Sequence, residues 1–440
     1  MEYSEADLGR RDFLRVGSLS FLGISLSQYL MLRDTFAARV DVAAPKAQAC
    51  ILLWLEGGPS QVDTWDPKPG SSFKPISTNV PGIQISELFP RSAEHMDKLS
   101  ILRSMHTEEI DHPEATHYAV TGHRPNSAMK FPSLGSIITK ETGVRSTIPA
   151  HVIVPEWNVH RIYEEYFGSS FLGPKYSYMG IPDPSQKDFR MQDLSLPKTL
   201  SLERVEDRMA FRKVVDRIHR QKEEIAEFAQ MDTFTAQALK MILSTEVKAA
   251  FDLSREPEKI RDHYGRNSFG QSVLLARRLV ESGSRFVTAA GYKFNHWDSS
   301  HKDNDRYHRD ELAPPLDQAL SALLEDLSQR GLLQSTVVIV MGEFGRTPHT
   351  NPDNGRDHWP HCWSLLLGGG GIAGGRVVGS SDGRGAYVAD RMITMGDVFA
   401  TIYKAFGIDW TKEYMSPIGR PLKIANAIDD KTGVPIKELI

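Results

Sequence analysis

Cysteine is almost missing from this chain: among 440 residues there are two, Cys50 and Cys362, too few for a disulfide framework. Each lies in or beside an apolar run, the usual setting of a buried free thiol. An excess of charge of one sign is missing too. Lys plus Arg number 52 against 56 for Asp plus Glu, and no basic block or basic stripe interleaved with aromatics occurs, which excludes nucleic acid as a partner. The N-terminal apolar stretch from Val16 to Leu32 is interrupted by Ser18, Ser20, Ser25 and Ser27, so it is too short and too broken for a stable membrane span. The glycine run from Gly368 to Gly375 lacks the spacing of a phosphate-binding loop and reads as a turn. No internal repeat or low-complexity tract is present.

What is present begins with Arg10-Arg11-Asp12-Phe13-Leu14-Arg15, which leads straight into that apolar stretch and then into small residues such as Ala37, Ala38, Ala43 and Ala44. This order predicts a twin-arginine signal region over residues 1–45, with cleavage near Ala38 to Ala44. It implies the twin-arginine export machinery as a partner and a periplasmic or otherwise extracytoplasmic destination, with no stable membrane span after cleavage.

From Cys50 onward the elements alternate as a mostly parallel sheet flanked by helices requires. Cys50 to Leu55 is an unbroken apolar run of strand length, so it is expected to be a central strand buried on both faces. Further strands are expected at Ser100 to Leu102, His151 to Pro155, Arg285 to Ala290, Thr336 to Met341 and Ser364 to Leu367. Helices are expected around Val273 to Val280 and through the stripe Leu316, Leu320, Leu323, Leu324 and Leu327. A last helix carries Phe399, Ile402, Tyr403 and Phe406 behind a capping box of Thr394 and Asp397. Between about 155 and 267 the pattern changes to a helical insertion, where Phe211, Val214, Val215, Ile218, Ile225 and Phe228 recur at helical spacing. The fold class is thus α/β, a three-layer α/β/α sandwich with a mostly parallel sheet, spanning residues 46–440.

Ten of the fifteen histidines fall in three short loops, His106 to His123, His296 to His308 and His349 to His361. Each loop follows a strand-like run, and sheets of this class bind ligands where strands end. Asp298 with His301, Glu343 with Arg346, and Asp357, His358 with His361 supply carboxylate and imidazole, ligands suited to zinc, iron or manganese. The first loop adds His112 and a stretch of threonines, Thr107, Thr116 and Thr121, in which no nucleophilic triad can be assigned from spacing.

Four linked motifs carry a resemblance: Leu55-Glu-Gly-Gly-Pro-Ser-Gln-Val-Asp-Thr-Trp-Asp-Pro-Lys68, Arg103-Ser-Met-His106, Met341-Gly-Glu-Phe-Gly-Arg-Thr-Pro348 and Gly355-Arg-Asp-His-Trp-Pro360. From about Cys50 to Asp409 the chain resembles the exported bacterial proteins grouped as domain of unknown function 1501, especially the planctomycete-like branch. That family is placed with alkaline phosphatases and sulfatases, so the resemblance implies an alkaline phosphatase-like sandwich with its site at the strand C-termini. Carried over onto this chain, Glu56 takes the place of the first acid, Asp298 and His301 that of a later Asp and His, and His358 that of a final His. The chain departs from those relatives in three places. Glu343-Phe344 stands where they have Asp-His, His112 stands where a nucleophile is expected, and the family's Trp-Asp-Thr-His reads Trp297-Asp-Ser-Ser-His301.

Together these readings set an expectation of an exported metal-dependent hydrolase of phosphate or sulfate esters, with a polysaccharide as one candidate carrier. The expected ligands of a divalent zinc, iron, manganese or calcium ion are Glu56, Asp298, His301, Asp357, His358 and His361. Glu343 serves as base or further ligand, Arg346 as an anion clamp, and His112 as a catalytic group. The competing expectation is a catalytically silent exported protein that binds a ligand or glycan on the same fold.

Overall fold

In the computed structural model, residues 46–156, 164–187, 189, 244–292 and 296–440 are described. The twin-arginine segment and the expected helix from Phe211 to Phe228 lie outside them. An eight-stranded sheet runs through the described residues: β1 (Ala49–Trp54), β2 (Leu99–Met105), β3 (His151–Val154), β4 (Met179–Gly180), β5 (Phe286–Ala289), β6 (Thr336–Met341), β7 (Trp363–Gly369) and β8 (Val377–Val378). Their spatial order is β8-β2-β7-β6-β1-β5-β3-β4. Pairing is parallel except on the two flanks of β7, which is antiparallel to both β6 and β2.

The unbroken apolarity of β1 has the consequence expected of it. Ile51 and Leu53 pack into one core with α3 (Ser268–Glu281) and α4 (Ala313–Gln329), while Cys50, Leu52 and Trp54 face a second core. That second core is covered by α1 (His112–Thr121), α2 (Leu134–Thr142) and α5 (Met395–Ala405). Successive side chains of a strand point to opposite faces, so a central strand must be apolar throughout. The result is a three-layer sandwich with two hydrophobic interiors.

Local signals start the helices where they are needed. Asn267 caps α3 by accepting the Gly270 N–H at 2.8 Å. Thr394 and Asp397 form the reciprocal box that opens α5. Cys50 and Cys362 are buried free thiols. Among the described residues no helix is long and apolar enough to cross a membrane.

Because β1, β2, β5 and β6 run the same way, their carboxyl ends share one edge of the sheet. The reversed β7 starts at that edge, where Trp363 is paired with Met105 at the end of β2. The loop leading into it therefore arrives beside the loops leaving the other four.

Candidate metal centre

Four chain segments meet at this edge. The loop after β2 enters α1 at His112, with Asp111 as N-cap and a proline in the first turn. The loop after β5 forms a short 3₁₀ turn, His296–His301, docked on the end of β1 by a Trp297 N–H to Glu56 carbonyl bond of 3.1 Å. After β6 come Glu343 and then Gly345–Arg346, which pairs antiparallel with His358–Trp359 so that His358 lies opposite Arg346.

His112, Asp298 and His358 each present one ligand atom, all within 4.8 Å of one another, and the three are half-buried. The imidazoles meet edge to face, with ring centroids 4.4 Å apart. His112 Nδ1 lies 2.7 Å from Glu343 Oε1, and His358 Nδ1 lies 2.8 Å from the Ile110 carbonyl. A carboxylate and a carbonyl only accept hydrogen bonds, so each Nδ1 carries a proton and each Nε2 is the nitrogen left to face Asp298, a hydrogen-bond donor when protonated and a lone-pair ligand when not. Both Nε2 atoms turn to Asp298 Oδ1, at 3.4 Å from His112 and 3.1 Å from His358. His112 Nε2 is buried, and its contact with Asp298 is the longer and looser of the two.

The framework under the three ligands is rigid. Glu343, buried to 1% exposure, also accepts the Gly57 N–H through both oxygens, at 2.9 and 3.2 Å. Gly57 has φ of +111°, and a Cβ there would come within 2.3 Å of the Asp298 nitrogen, so only glycine lets the β1 turn touch both carboxylate-bearing loops. Arg346 is fully buried and holds Asp298 Oδ1 at 2.7 Å. Its remaining donors go to the carbonyls of Gly57, Gly58 and Arg356.

The charges are mutually supporting. Burial raises the Asp298 carboxyl, but hydrogen bonds from His112 and His358 and the Arg346 charge outweigh it and hold the group well below the usual carboxylate range. Burial likewise disfavours the charged His112, and hydrogen bonds to Asp298 and Glu343 overcome it, raising His112 to about 9. In the ion-free protein a second proton therefore stands on His112 where a cation would otherwise stand.

The structure sorts the residues expected from sequence. His112, Asp298 and His358 come together, with Glu343 and Arg346 behind them. His301 and Asp357 pair with each other at 3.4 Å on the exposed rim, the His301 ring 6.2 Å from that of His358. Asp298 and His301 sit one 3₁₀ turn apart, roughly 6 Å along the axis, which carries His301 past the centre. Glu56 is buried at the β1 turn and His361 packs against His106, Trp359 and Tyr387; neither belongs to the three-ligand cluster. Arg346 has no exposed surface for an anion, so it acts as the prop of Asp298 rather than as a clamp on substrate.

Two supports went unassigned in the sequence although both lie inside the quoted motifs. Gln61 pairs with the Arg346 backbone, its Oε1 accepting the N–H at 2.9 Å and its Nε2 donating to the carbonyl at 2.8 Å. Asp63, fully buried, ties Arg356 by bonds of 2.7 and 3.3 Å and accepts from Ser60, Ser71 and Asn304.

A family model described as "Protein of unknown function (DUF1501)" matches residues 47–439. No curated protein matches the chain in sequence. Among solved structures the chain is similar to a protein in the alkaline phosphatase superfamily from Vibrio parahaemolyticus, at 13% identity over 84% of this chain and 68% of that one, with a TM-score of 0.42. It is also similar to the alkaline phosphatase of the Antarctic bacterium TAB5, at 14% identity over 75% and 93% with a TM-score of 0.38. A third similar structure is the lipoteichoic acid synthase LtaP of Listeria monocytogenes, at 10% identity over 89% and 78% with a TM-score of 0.37.

Proposed function

This chain belongs to the DUF1501 family, and from that premise we propose that it is an exported, divalent-metal-dependent hydrolase of phosphate or sulfate esters. The observation that carries the reading is the convergence of two imidazole Nε2 atoms and one carboxylate, with both opposite Nδ1 atoms tied to fixed acceptors. Such outer hydrogen bonds are what orient metal-bound histidines, and a buried Nε2 held only loosely by Asp298 is what an ion would satisfy. Two imidazoles and a carboxylate suit zinc, iron or manganese, whereas calcium prefers an all-oxygen shell.

Three protein ligands leave positions open. When bound there, the ion would lower the pKa of a water and neutralise charge building on the transferred group. The protein's own groups do the rest. Glu343 fixes the His112 ring, Arg346 fixes the Asp298 carboxylate, and their burial keeps water from loosening either. His301, oriented by Asp357 at the rim, gives a proton to the departing oxygen of the ester. Residues 1–45 act as a twin-arginine signal, and the mature protein works in the periplasm or elsewhere outside the cytoplasm.

Metal analysis of protein purified without chelator tests the reading. One equivalent of zinc, iron or manganese is expected, and it is lost in a His112→Ala, His358→Ala double variant that still folds. Metal-free wild-type protein that cannot be loaded, or a double variant that keeps its metal, overturns it. A screen with aryl phosphates and aryl sulfates then identifies the ester class.

A further inference from the structure

A cavity of about 720 Å³, lined by none of the metal ligands, lies on the flank of β4. β4 runs parallel to β3, and β3 to β5, so the segment that leaves β4 starts from the carboxyl edge of the sheet. That segment lends the cavity Ser185 and Lys187. α3 leads back to the start of β5, which puts its first turns at the same edge, and a Cβ on Gly291, just past β5, would collide there with the Phe269 backbone. Gln271 stands in those turns, and the helix Glu258–Tyr264 ahead of them contributes Arg261. A further wall comes from the helix Thr245–Phe251, which presents Lys248.

At the centre of this cavity a cation has a neutral partner. Gln271, 1% exposed, accepts the Arg261 Nε–H through Oε1 at 3.0 Å, and its Nε2 donates to the carbonyls of Arg261 and Gly265 at 3.0 and 2.9 Å. The amide is saturated by these bonds, and it holds the guanidinium by one edge without cancelling its charge. Both Nη atoms are left over. Among the described residues neither they nor the ammonium groups of Lys187 and Lys248 meet a carboxylate. Arg266, on the same wall, is by contrast paired with Asp262 at 2.6 Å and with Glu258. Asp252, the one carboxylate among the described lining residues, turns to the Ser254 N–H and hydroxyl at 3.0 and 2.5 Å. Three unpaired cations therefore share the cavity with a single acid, over an apolar floor of Phe251 and Leu253.

From this arrangement we propose that the cavity is an anion-binding site for a sulfate or phosphate group carried on an organic body. Arg261 grips the group through its Nη–H donors, a planar fork that spans two oxygens at once, and Lys187 and Lys248 hold the remaining charge. An ester of sulfuric or phosphoric acid can present a third terminal oxygen to a lysine while the fork holds two, which a carboxylate cannot. The organic part lies on Phe251 and Leu253, in keeping with binding pockets that are apolar apart from a few placed polar groups. Because Gln271 sets the guanidinium before the ligand arrives, little ordering cost opposes binding. The site stands independently of the hydrolytic reading, since it uses none of the metal ligands and none of the residues behind them.

The test is calorimetric titration of the purified full chain, at low salt, with naphthalene sulfonate and naphthalene phosphonate, tetrahedral oxyanions that no hydrolase can cleave, and with naphthoate and naphthol as controls. The wild-type protein is expected to bind the sulfonate or the phosphonate and to bind both controls at least tenfold more weakly; the tighter of the two oxyanions names the acid. Arg261→Lys, which keeps the charge and loses the fork, is expected to bind about tenfold more weakly, and Lys248→Ala, at an exposed position, to lose a similar factor. Lys431→Ala, a lysine outside the cavity, binds as the wild type does, and so does the His112→Ala, His358→Ala double variant. Failure of the wild type to bind either oxyanion, naphthoate binding of equal strength, or unchanged affinity in both Arg261→Lys and Lys248→Ala overturns the site. Loss of binding in the double variant overturns it too, because the anion would then sit at the metal centre. Unchanged binding by a protein that takes up no metal overturns the hydrolase reading and leaves the anion site standing.

Discussion

Glu343 Oε1 accepts the Nδ1–H of His112 at 2.7 Å, across 231 positions of sequence. That one bond fixes the tautomer and the plane of an imidazole whose other nitrogen faces Asp298. Weakening it gives the most direct test of the ligand arrangement. Glu343→Gln keeps an acceptor for His112 and removes the charge. It is expected to weaken zinc binding roughly 10- to 100-fold, read by competition with a chromophoric chelator. Unchanged zinc affinity would show that the ring needs no carboxylate behind it.

Asp63 and Arg356 are both buried, with side-chain exposures of 0% and 1%. Asp63→Ala leaves the guanidinium uncompensated and is expected to lower stability by about 3–5 kcal/mol, measured by urea unfolding of the metal-free protein. A change within experimental error would mean that the Thr347, Pro348 and Gly70 carbonyls suffice to hold Arg356.

His301 stands on the rim with Asp357 and outside the ligand cluster. In His301→Ala the metal content is expected to stay at the wild-type level. Hydrolysis of an alkyl ester, whose leaving group needs a proton, should fall about 10²- to 10⁴-fold, and that of a nitrophenyl ester should fall far less. Equal losses on both substrates would remove His301 from the proton-donor role.

Three other histidines predict how stability responds to acid. Burial lowers His117, His123 and His151 to about 4 each, against an ordinary value of 6.5. Below pH 6.5 the unfolded chain takes up protons that the folded chain refuses, so stability is full above that pH and drains away as pH falls towards 4. Thermal unfolding followed from pH 7.5 to 4.5 in the metal-free protein should show the midpoint dropping through this window. A flat profile would mean that these rings are protonated in the fold.

The sheet was largely legible because burial on both faces leaves an unbroken apolar signature, as in Ala49–Trp54 and Thr336–Met341. The capping box of Thr394 and Asp397 was legible for a similar reason, since it acts over three residues. Which histidines converge was harder to read. His358 lies in the short strand His358–Trp359 and His361 in the bend that follows it, so sequence spacing does not say which of them faces the centre, and only His358 does. The Nδ1 partner of His358 is a main-chain carbonyl, that of Ile110, and main-chain acceptors leave no mark on residue identity. Arg346 was recognisable as belonging to the site, but its burial depends on carbonyls from segments hundreds of positions away.

The reversed course of β7 has a consequence for how such a pocket is assembled. Loops that leave parallel strands supply two of the ligands, and the third comes from a segment about to enter the sheet. Had that strand been laid with the grain, its leading segment would emerge at the opposite rim and His358 would be stranded there. The polarity of a single strand thus decides whether an ion meets two side chains or three.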